Sequence, residues 1–194
     1  MRYFFACIFF VFTANVFSQN IDLDILKSIN SGENKNFDQA MKITSTSIYP
    51  AMALSAGGLW LSGVINKDET MKRNGYKTAI AIGFNIALTE GIKYSVRRSR
   101  PYNDYPNDIV KRTDAPGFSF PSGHTSAAFA TATALTLSTK KWYVAVPAYA
   151  YASLVAYSRM RLGVHYPSDV FGGIIVGIGC SMLTWQVDKW VNKK

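Results

Sequence analysis

Five apolar stretches, joined by polar connectors, most restrict the folds open to this chain of 194 residues. They are rich in Ala, Gly, Leu and Ile, and they lack the alternation of polar and apolar residues that is typical of half-buried strands. The pattern therefore predicts an all-α fold, a helical bundle of about five to six helices. The stretches are residues 48–65, 76–92, 125–139, 142–157 and 170–185.

The first 18 residues have the layout of a secretory signal peptide. Arg2 gives a positive start, an apolar run follows, and small or polar residues lead to Ser18. We expect residues 1–18 to be a signal peptide cleaved after Ser18, or else an uncleaved first membrane span. Residues 19–194 would then form one helical domain, because the chain is too short for two. Either leader exports or inserts the chain, so we do not expect nucleic acid as a partner.

The composition favours a membrane protein, since 48% of the residues are hydrophobic and only 17% are charged. The apolar stretches are a little short for spans, and their small polar residues would also suit a soluble periplasmic bundle. The loop charges favour the membrane, because three cationic segments fall on one side if all five stretches are spans. We therefore expect an inner-membrane bundle whose other end faces the periplasm. The cationic segments are residues 66–75, 140–141 and 193–194.

Two loops on the outer side of this topology are also rich in cations. Cations placed against the topological preference need a local reason, and an anion bound between the two loops would supply one. We expect the Arg97-Arg98 pair to be a solvated surface. A weaker hypothesis is that four of these cations bind a second phosphate or an anionic glycolipid. Those four are Arg97, Arg98, Lys111 and Arg112.

Three segments at the outer helix ends can converge, and they carry groups suited to phosphate. Arginine binds phosphate oxygens with a planar fork and lysine binds them as a point charge. Backbone N–H groups at a helix start are unpaired and bind anions, and this applies to Ser122 and Gly123. Fixed donors of this kind stabilise charge in a phosphoryl transition state without a metal. The cationic candidates are Lys93, Arg100 and Arg159.

Both histidines of the chain, His124 and His165, lie in these segments. Histidine can attack phosphorus or protonate a leaving oxygen, because its reference pKa is about 6.5. Asp169 follows His165 closely enough to accept a hydrogen bond from one ring nitrogen and leave the other free to attack. These three side chains could also hold a metal, but the surrounding cations repel a metal and attract an anion. We therefore expect neither a metal nor a cofactor.

Together the three segments resemble the signature of the phosphatidic acid phosphatase type 2 superfamily. That signature is a lysine, six residues and Arg-Pro; then Pro-Ser-Gly-His; then Ser-Arg, five residues, His, three residues and Asp. No signature position of this chain departs from it. The matching positions are Lys93, Arg100-Pro101, Pro121 to His124, Ser158-Arg159, His165 and Asp169.

The resemblance implies a helical bundle with its active site in loops at one end, and a metal-independent phosphatase that forms a phosphohistidine. It implies His165 as the nucleophile, Asp169 as its partner, and His124 as the acid that protonates the leaving group. The phosphate ligands would be Lys93, Arg100, Arg159, Ser122 and Gly123.

The sequence leaves the substrate open. At the outer face of a membrane the substrates would be lipid phosphates: an isoprenoid carrier pyrophosphate, phosphatidylglycerol phosphate or a phosphate of lipid A. The superfamily also contains soluble exported acid phosphatases and vanadate-dependent haloperoxidases, and both stay as alternatives. The short apolar chain argues against a haloperoxidase. A third hypothesis is a bundle that binds phosphorylated headgroups without hydrolysing them.

Overall fold

The computed structural model describes residues 21–192, and helices make up most of this part of the chain. The predicted leader, residues 1–18, lies outside the described residues. Residues 21–192 contain no strand, and each predicted apolar stretch lies within one long helix, so the all-α prediction is confirmed. The helices are α1 (residues 21–30), α2 (Lys35–Thr46), α3 (Ile48–Ile65), α4 (Glu69–Val96), α5 (Pro101–Asp104), α6 (Gly123–Thr139), α7 (Trp142–Arg161) and α8 (Pro167–Val191).

Helix α6 forms the centre of the bundle and packs against α3, α4, α7 and α8. Residues 125–134 of α6 are all buried, and most of them are Ala, Thr or Ser. The hydroxyls of Thr131 and Thr133 donate to carbonyl oxygens one turn earlier, at 2.8 and 2.7 Å, so their burial leaves no hydroxyl donor unsatisfied. Small side chains on α6 thus let four helices approach one another closely.

Helices α6 and α8 run in parallel and touch through glycines of α8. A Cβ on Gly177 would lie 2.3 Å from the carbonyl oxygen of Ser126, which no real side chain could tolerate. One turn further along, the hydroxyl of Ser181 donates to the carbonyl oxygen of Ala130 at 2.8 Å. This close packing places the N-terminal ends of α6 and α8 side by side.

Helix α4 runs antiparallel to α6. Near its C-terminal end Thr89 lies 3.0 Å, hydroxyl to hydroxyl, from Ser126 in the first turns of α6. Near its N-terminal end Asn74 donates to the carbonyl oxygen of Ser138 at 3.2 Å. The end of α4 and the starts of α6 and α8 therefore share one end of the bundle, which we call the site end. The lysines predicted to lie on the cytoplasmic side of the membrane are at the other end of the bundle. They are Lys67, Lys72, Lys140 and Lys141.

Large apolar side chains face outward along the bundle, among them Leu54, Trp142, Phe171 and Ile175. Such a surface is costly in water and suits contact with lipid. In the described residues two helical stretches, Lys35–Ile65 and Pro167–Val191, are long and apolar enough to cross a membrane. The outer surface therefore agrees with the predicted membrane bundle.

The N-terminal helices α1 and α2 cover the site end and bring carboxylates to its arginines. Asp38 accepts hydrogen bonds from Arg161 Nε at 2.7 Å and from Arg112 Nη1 at 3.1 Å. Asp22 pairs with Arg98 Nη2 at 3.0 Å. The sequence analysis explained the cations of the outer loops by an anion bound between them. For these three arginines that explanation is wrong, because carboxylates of the protein itself balance their charge.

The proposed second phosphate site loses its basis for the same reason. Arg98 and Arg112 are paired as described, and Lys111 lies 2.9 Å from Asp114. Arg97 turns back on its own helix, where Nε donates to the carbonyl oxygen of Tyr94 at 2.9 Å. The sequence could not reveal this, because the acidic partners of the two arginines are more than 70 residues away.

Candidate active site

The predicted site residues meet at the site end of the bundle. Lys93 is in the last turn of α4, Arg159 in that of α7, and His165 in the connection between α7 and α8. A cavity of about 640 Å³ is lined by six of the eight predicted residues: Lys93, Arg100, Gly123, His124, Arg159 and His165. The other two, Ser122 and Asp169, are fully buried and touch each other.

Arg100 is fixed by backbone carbonyl groups from two loops. Its Nε donates to Gly117 at 3.0 Å and its Nη2 donates to Pro116 at 2.8 Å. Its Nη1 donates to the carbonyl oxygen of Val164, next to the nucleophile candidate, at 2.8 Å. These bonds hold the guanidinium in one orientation before any ligand arrives, which is the preorganisation that charge stabilisation needs.

Lys93 and Arg159 complete a group of three buried cations. Lys93 Nζ donates to the carbonyl oxygen of Phe118 at 2.7 Å, and Arg159 Nη1 donates to the hydroxyl of Ser45 at 2.5 Å. Arg159 Nε is buried and has no hydrogen-bond partner in the structure. A buried donor without a partner is costly, and a bound anion would satisfy it.

These three cations differ from the other arginines of the site end in their partners. Arg98, Arg112 and Arg161 each contact a carboxylate. Among the acidic side chains of residues 21–192, none lies within 4.0 Å of a side-chain nitrogen of the buried cations in the cavity. Two carboxylates, Glu90 and Asp114, also line the cavity, but both are exposed and neither forms an ion pair with these cations. Buried positive charge without an ion-pair partner attracts an anion. The three cations without such a partner are Lys93, Arg100 and Arg159.

The surroundings of His165 determine which ring nitrogen carries the proton. Nε2 lies 3.4 Å from Arg100 Nη1, and a guanidinium can only donate, so Nε2 must present its lone pair. The proton therefore sits on Nδ1, which faces Asp169 Oδ2 at 3.5 Å. Burial lowers the pKa of His165 to about 3, although the neighbouring carboxylate opposes this shift. The ring is thus neutral, with a lone pair directed towards the cations.

Asp169 has more partners than the sequence suggested. Oδ2 accepts from the backbone N–H of Tyr166 at 2.8 Å and from the hydroxyl of Ser119 at 2.5 Å. Oδ1 accepts from Arg98 Nη1 at 2.7 Å. The distance to His165 is longer than these, so the pairing predicted from the spacing is present as a loose contact that a substrate could tighten.

Sequence reasoning missed Ser119 and interpreted Arg98 wrongly as a solvated surface residue. Ser119 Oγ also lies 3.5 Å from His165 Nδ1, so this hydroxyl bridges the histidine and the aspartate. The one signal for Ser119 is a small polar residue between two phenylalanines, directly before the Pro-Ser-Gly-His segment. Arg98 carried no signal, because its partners come from distant parts of the chain.

Ser122 corrects one detail of the predicted anion site. Its backbone N–H, expected to be unpaired, donates to the carbonyl oxygen of Asp169 at 3.0 Å. The first N–H of this helix with a backbone acceptor is that of Ser126, so in the described residues the N–H groups of Gly123, His124 and Thr125 have none. A Cβ on Gly123 would meet Lys93 Cε and Thr89 Cγ2 only at ordinary contact distance, 3.9 Å. A side chain at this position would therefore fit, so the packing of α6 against α4 does not require a glycine here.

His124 begins α6, and Tyr49 of α3 holds its ring. The Tyr49 hydroxyl lies 3.3 Å from His124 Nε2, and the two rings meet edge to face with centroids 5.4 Å apart. Both residues line the cavity. A histidine in this place can exchange a proton with a group bound in the cavity. Tyr49, like Ser119, was not identified from the sequence.

The comparison with protein families agrees with this geometry. Residues 75–193 match the model of the PAP2 superfamily, which is more than half of the chain. The chain belongs to the PAP2 superfamily. The matched region contains all eight predicted site residues, so the resemblance inferred from the three segments is confirmed.

Among curated PAP2 relatives, an undecaprenyl-diphosphatase of Sulfolobus acidocaldarius is 32% identical over 60% of this chain and 56% of its own length. A putative undecaprenyl-diphosphatase of Escherichia coli K12, YbjG, is 28% identical over 87% of this chain and 84% of its own length. The chain thus spans a little over half of the first relative and most of the second.

A solved PAP2 structure is similar along nearly the whole chain. The transmembrane phosphatidylglycerolphosphate phosphatase from Bacillus subtilis has a TM-score of 0.72 and 26% identity, covering 95% of this chain and 94% of its own. The predictions of a PAP2-type transmembrane helical bundle and of a phosphatase are confirmed at this level.

Proposed function

We propose that this PAP2 protein hydrolyses lipid phosphate or diphosphate at the outer face of the membrane, without a metal and through a phosphohistidine. The observation that carries the proposal is the group of three buried cations without carboxylate partners, gathered around the neutral ring of His165. A phosphate bound there would satisfy the free Nε of Arg159 and bring phosphorus to the lone pair on Nε2.

The chemical steps follow from the two histidines. His165 Nε2 attacks phosphorus while the bond to the leaving oxygen breaks, and His124 gives that oxygen its proton. Burial and the nearby cations lower the pKa of His124 to about 3, so its ring takes up this proton once the bound phosphate adds negative charge beside it. Water then attacks the phosphohistidine, the P–N bond breaks, and His124 takes the proton of the water. Asp169 holds Nδ1 and stabilises the charge that the ring acquires in the first step. The three cations and the N–H groups of Gly123 and His124 would bind the phosphoryl oxygens.

Lipid is favoured by the route into the cavity. The same cavity that contains the cations is lined by Ile48 and Met52 of α3 and by Ile86 of α4. Ile86 is half exposed on the outward surface of the bundle. A substrate with an apolar tail could therefore place its phosphate in the cavity while the tail stays between α3 and α4 or in the lipid. A soluble ester would gain nothing from these apolar contacts.

The outer location is favoured by the charges at the opposite end. Lysines and arginines of the connector between α3 and α4, and of that between α6 and α7, lie away from the cavity. These short connectors fit the cytoplasmic side. Three cations at the site end have a local reason to lie there, because they form ion pairs with Asp22 and Asp38.

Among lipid phosphates we propose an isoprenoid carrier diphosphate first, because two curated relatives described above carry the name undecaprenyl-diphosphatase. Phosphatidylglycerol phosphate and lipid A phosphate are the other candidates, and the similar Bacillus subtilis structure supports the former. Three neighbouring cations, Arg98, Lys111 and Arg112, have carboxylate partners, so the site suits one phosphoryl group tightly and leaves the rest of the substrate loosely held.

The test is phosphate release by purified protein in detergent with EDTA present. The substrates are undecaprenyl diphosphate, phosphatidylglycerol phosphate, a lipid A phosphate and the soluble ester p-nitrophenyl phosphate. We expect release from lipids, none by His165→Ala, and retained binding of phosphate by that variant. Faster release from the soluble ester would favour an exported acid phosphatase, and peroxide-dependent halide oxidation after vanadate addition would favour a haloperoxidase. Loss of activity with EDTA would overturn metal independence.

A further inference from the structure

Arg98 occupies a position that its sequence neighbourhood did not predict. Helix α4 ends at Arg97, which has a left-handed backbone (φ 52°), and the chain then turns back over the start of α8. The guanidinium of Arg98 consequently reaches Asp169 Oδ1 at 2.7 Å and the hydroxyl of Ser168 at 2.6 Å. It also lies flat against the ring of Tyr166, 4.0 Å from its centroid.

Asp22, from the other end of the chain, holds the far side of this guanidinium. Its Oδ2 accepts from Arg98 Nη2 at 3.0 Å and also contacts the hydroxyl of Ser168. Its Oδ1 accepts from the backbone N–H of Ser168 at 2.8 Å. Asp22 is buried, although it belongs to the first helical turn of the described chain. The carboxylate of Asp22 thus connects α1 both to Arg98 and to the first turn of α8.

We propose that Arg98 and Asp22 are positioning residues that fix the carboxylate of Asp169, so that Asp169 in turn orients His165. The inference rests on the proposed function, because it takes His165 as the nucleophile.

The contacts of Asp169 explain how this positioning works. Asp169 is completely buried, so each of its oxygens needs donors from the protein. Arg98 is the charged donor on Oδ1, which leaves Oδ2 turned towards His165 Nδ1. Without Arg98, Oδ1 would have to rotate towards another donor and carry Oδ2 away from the ring. Asp22 keeps Arg98 from swinging outward, because the guanidinium is otherwise partly exposed.

The expected effect of Arg98→Gln is a loss of catalysis without a loss of binding. Partners of this kind typically change activity by about 10- to 100-fold. We expect kcat to fall by this factor while KM and the inhibition constant of phosphate change less than about twofold, since Arg98 does not line the cavity. Asp22→Asn should lower kcat less, and Arg98→Lys should be intermediate, because lysine keeps the charge but not the fork.

Arg97→Gln is the matched control. Arg97 is the adjacent residue with the same side chain, it is exposed, and its guanidinium contacts only its own helix among the described hydrogen bonds. We expect this variant to keep the activity of the wild type. Thermal unfolding of every variant in detergent distinguishes a folding defect from a misplaced Asp169 carboxylate. If Arg98→Gln does not fold, Asp22→Asn takes its place in the kinetic measurements.

The decisive experiment introduces Arg98→Gln into a protein that already carries Asp169→Asn. If Arg98 acts through Asp169, the double variant should be no slower than Asp169→Asn alone, within about twofold. Independent losses that multiply, or an Arg98→Gln variant as fast as the wild type, would overturn the inference. A wild-type protein that releases no more phosphate than His165→Ala would instead refute the proposed function, so the two failures are distinguishable.

Discussion

The backbone N–H of Ser122 donates to the carbonyl oxygen of Asp169 across 3.0 Å. This bond joins the helix start that carries His124 to the helix start that carries the partner of His165. Because both groups belong to the backbone, neither side chain is required for the bond itself. Its geometry depends instead on how closely α6 and α8 pack, and that spacing is set by glycines further along α8.

Gly177→Ala should destabilise the protein by about 1–3 kcal/mol, the usual cost of an overpacked interface. A Cβ there would collide with backbone of α6, which cannot move aside as a flexible side chain could. The measurement is thermal unfolding in detergent, together with phosphate release at a temperature where the variant is folded.

Gly179→Ala is the control for this prediction, because it lies on the same helix and a Cβ there would meet open space. We expect its unfolding temperature to equal or slightly exceed that of the wild type, since alanine favours helix over glycine. Equal stability of the two alanine variants would show that the close contact of α6 and α8 does not limit stability.

His124→Ala should slow hydrolysis in a way that depends on the leaving group. An alkyl alkoxide needs a proton as it departs, so a phosphate monoester of an aliphatic alcohol should react roughly 100-fold more slowly or worse. p-Nitrophenolate leaves without a proton, and its ester should lose less than about tenfold in the phosphorylation step. The measurement is single-turnover phosphate transfer from both esters. An equal loss for both would contradict the role of His124 as the acid.

Ser119→Ala should reduce kcat by about tenfold and leave KM nearly unchanged. The Ser119 hydroxyl gives Asp169 Oδ2 a short hydrogen bond and lies beside His165 Nδ1, yet it does not line the cavity. Ser119→Thr keeps the hydroxyl and tests whether the donor itself is needed. Steady-state kinetics of both variants measure the effect, and a normal rate for the alanine variant would exclude a part for Ser119 in orienting the pair.

The buried, neutral ring of His165 should make the ligand-free protein sensitive to mild acid. In the unfolded chain this histidine binds a proton below pH about 6.5, whereas burial in the folded protein holds its pKa near 3. The unfolded state therefore binds more protons throughout that window, and stability falls as the pH decreases from 6.5 towards 3. His165 alone should contribute a loss of about 1.4 kcal/mol per pH unit.

His165→Gln removes this titration and keeps a polar side chain of similar size. Unfolding would be followed in phosphate-free buffer at pH 7, 6 and 5, since a bound anion would favour the charged ring. We expect the wild type to lose more stability than the variant over this range. Parallel curves for the two proteins would show that the pKa of His165 is the same in the folded and the unfolded state, which would contradict its burial as a neutral ring.

The helical bundle and the catalytic segments were predictable because both are written in local patterns. Apolar stretches without alternating polarity mark α3, α4, α6, α7 and α8, and the two long helices between the loops, α6 and α7, bring both loops to the same end. Lys93, His124 and His165 could thus be placed together without knowledge of any contact.

The supporting contacts were not predictable, since they join residues far apart in the chain through side-chain directions that only packing decides. Arg98 reaches Asp22 across 76 positions, and Arg161 reaches Asp38 across 123. The pairing of the Ser122 N–H depended on a second helix start lying beside the first. A local rule about helix ends therefore identified the anion site but assigned one of its donors wrongly.

The link between Asp22 and Ser168 has a consequence for how the protein is made. A ribosome completes the acidic end of this link about 146 residues before the other end exists. During that interval Arg98 already follows α4 but neither Asp169 nor Ser168 has been synthesised. The site end can therefore close only when translation is nearly finished. In nascent chains that stall within α7, Asp22 would have Arg98 but not Ser168, so α1 would be tied to the site end by fewer contacts than in the finished protein.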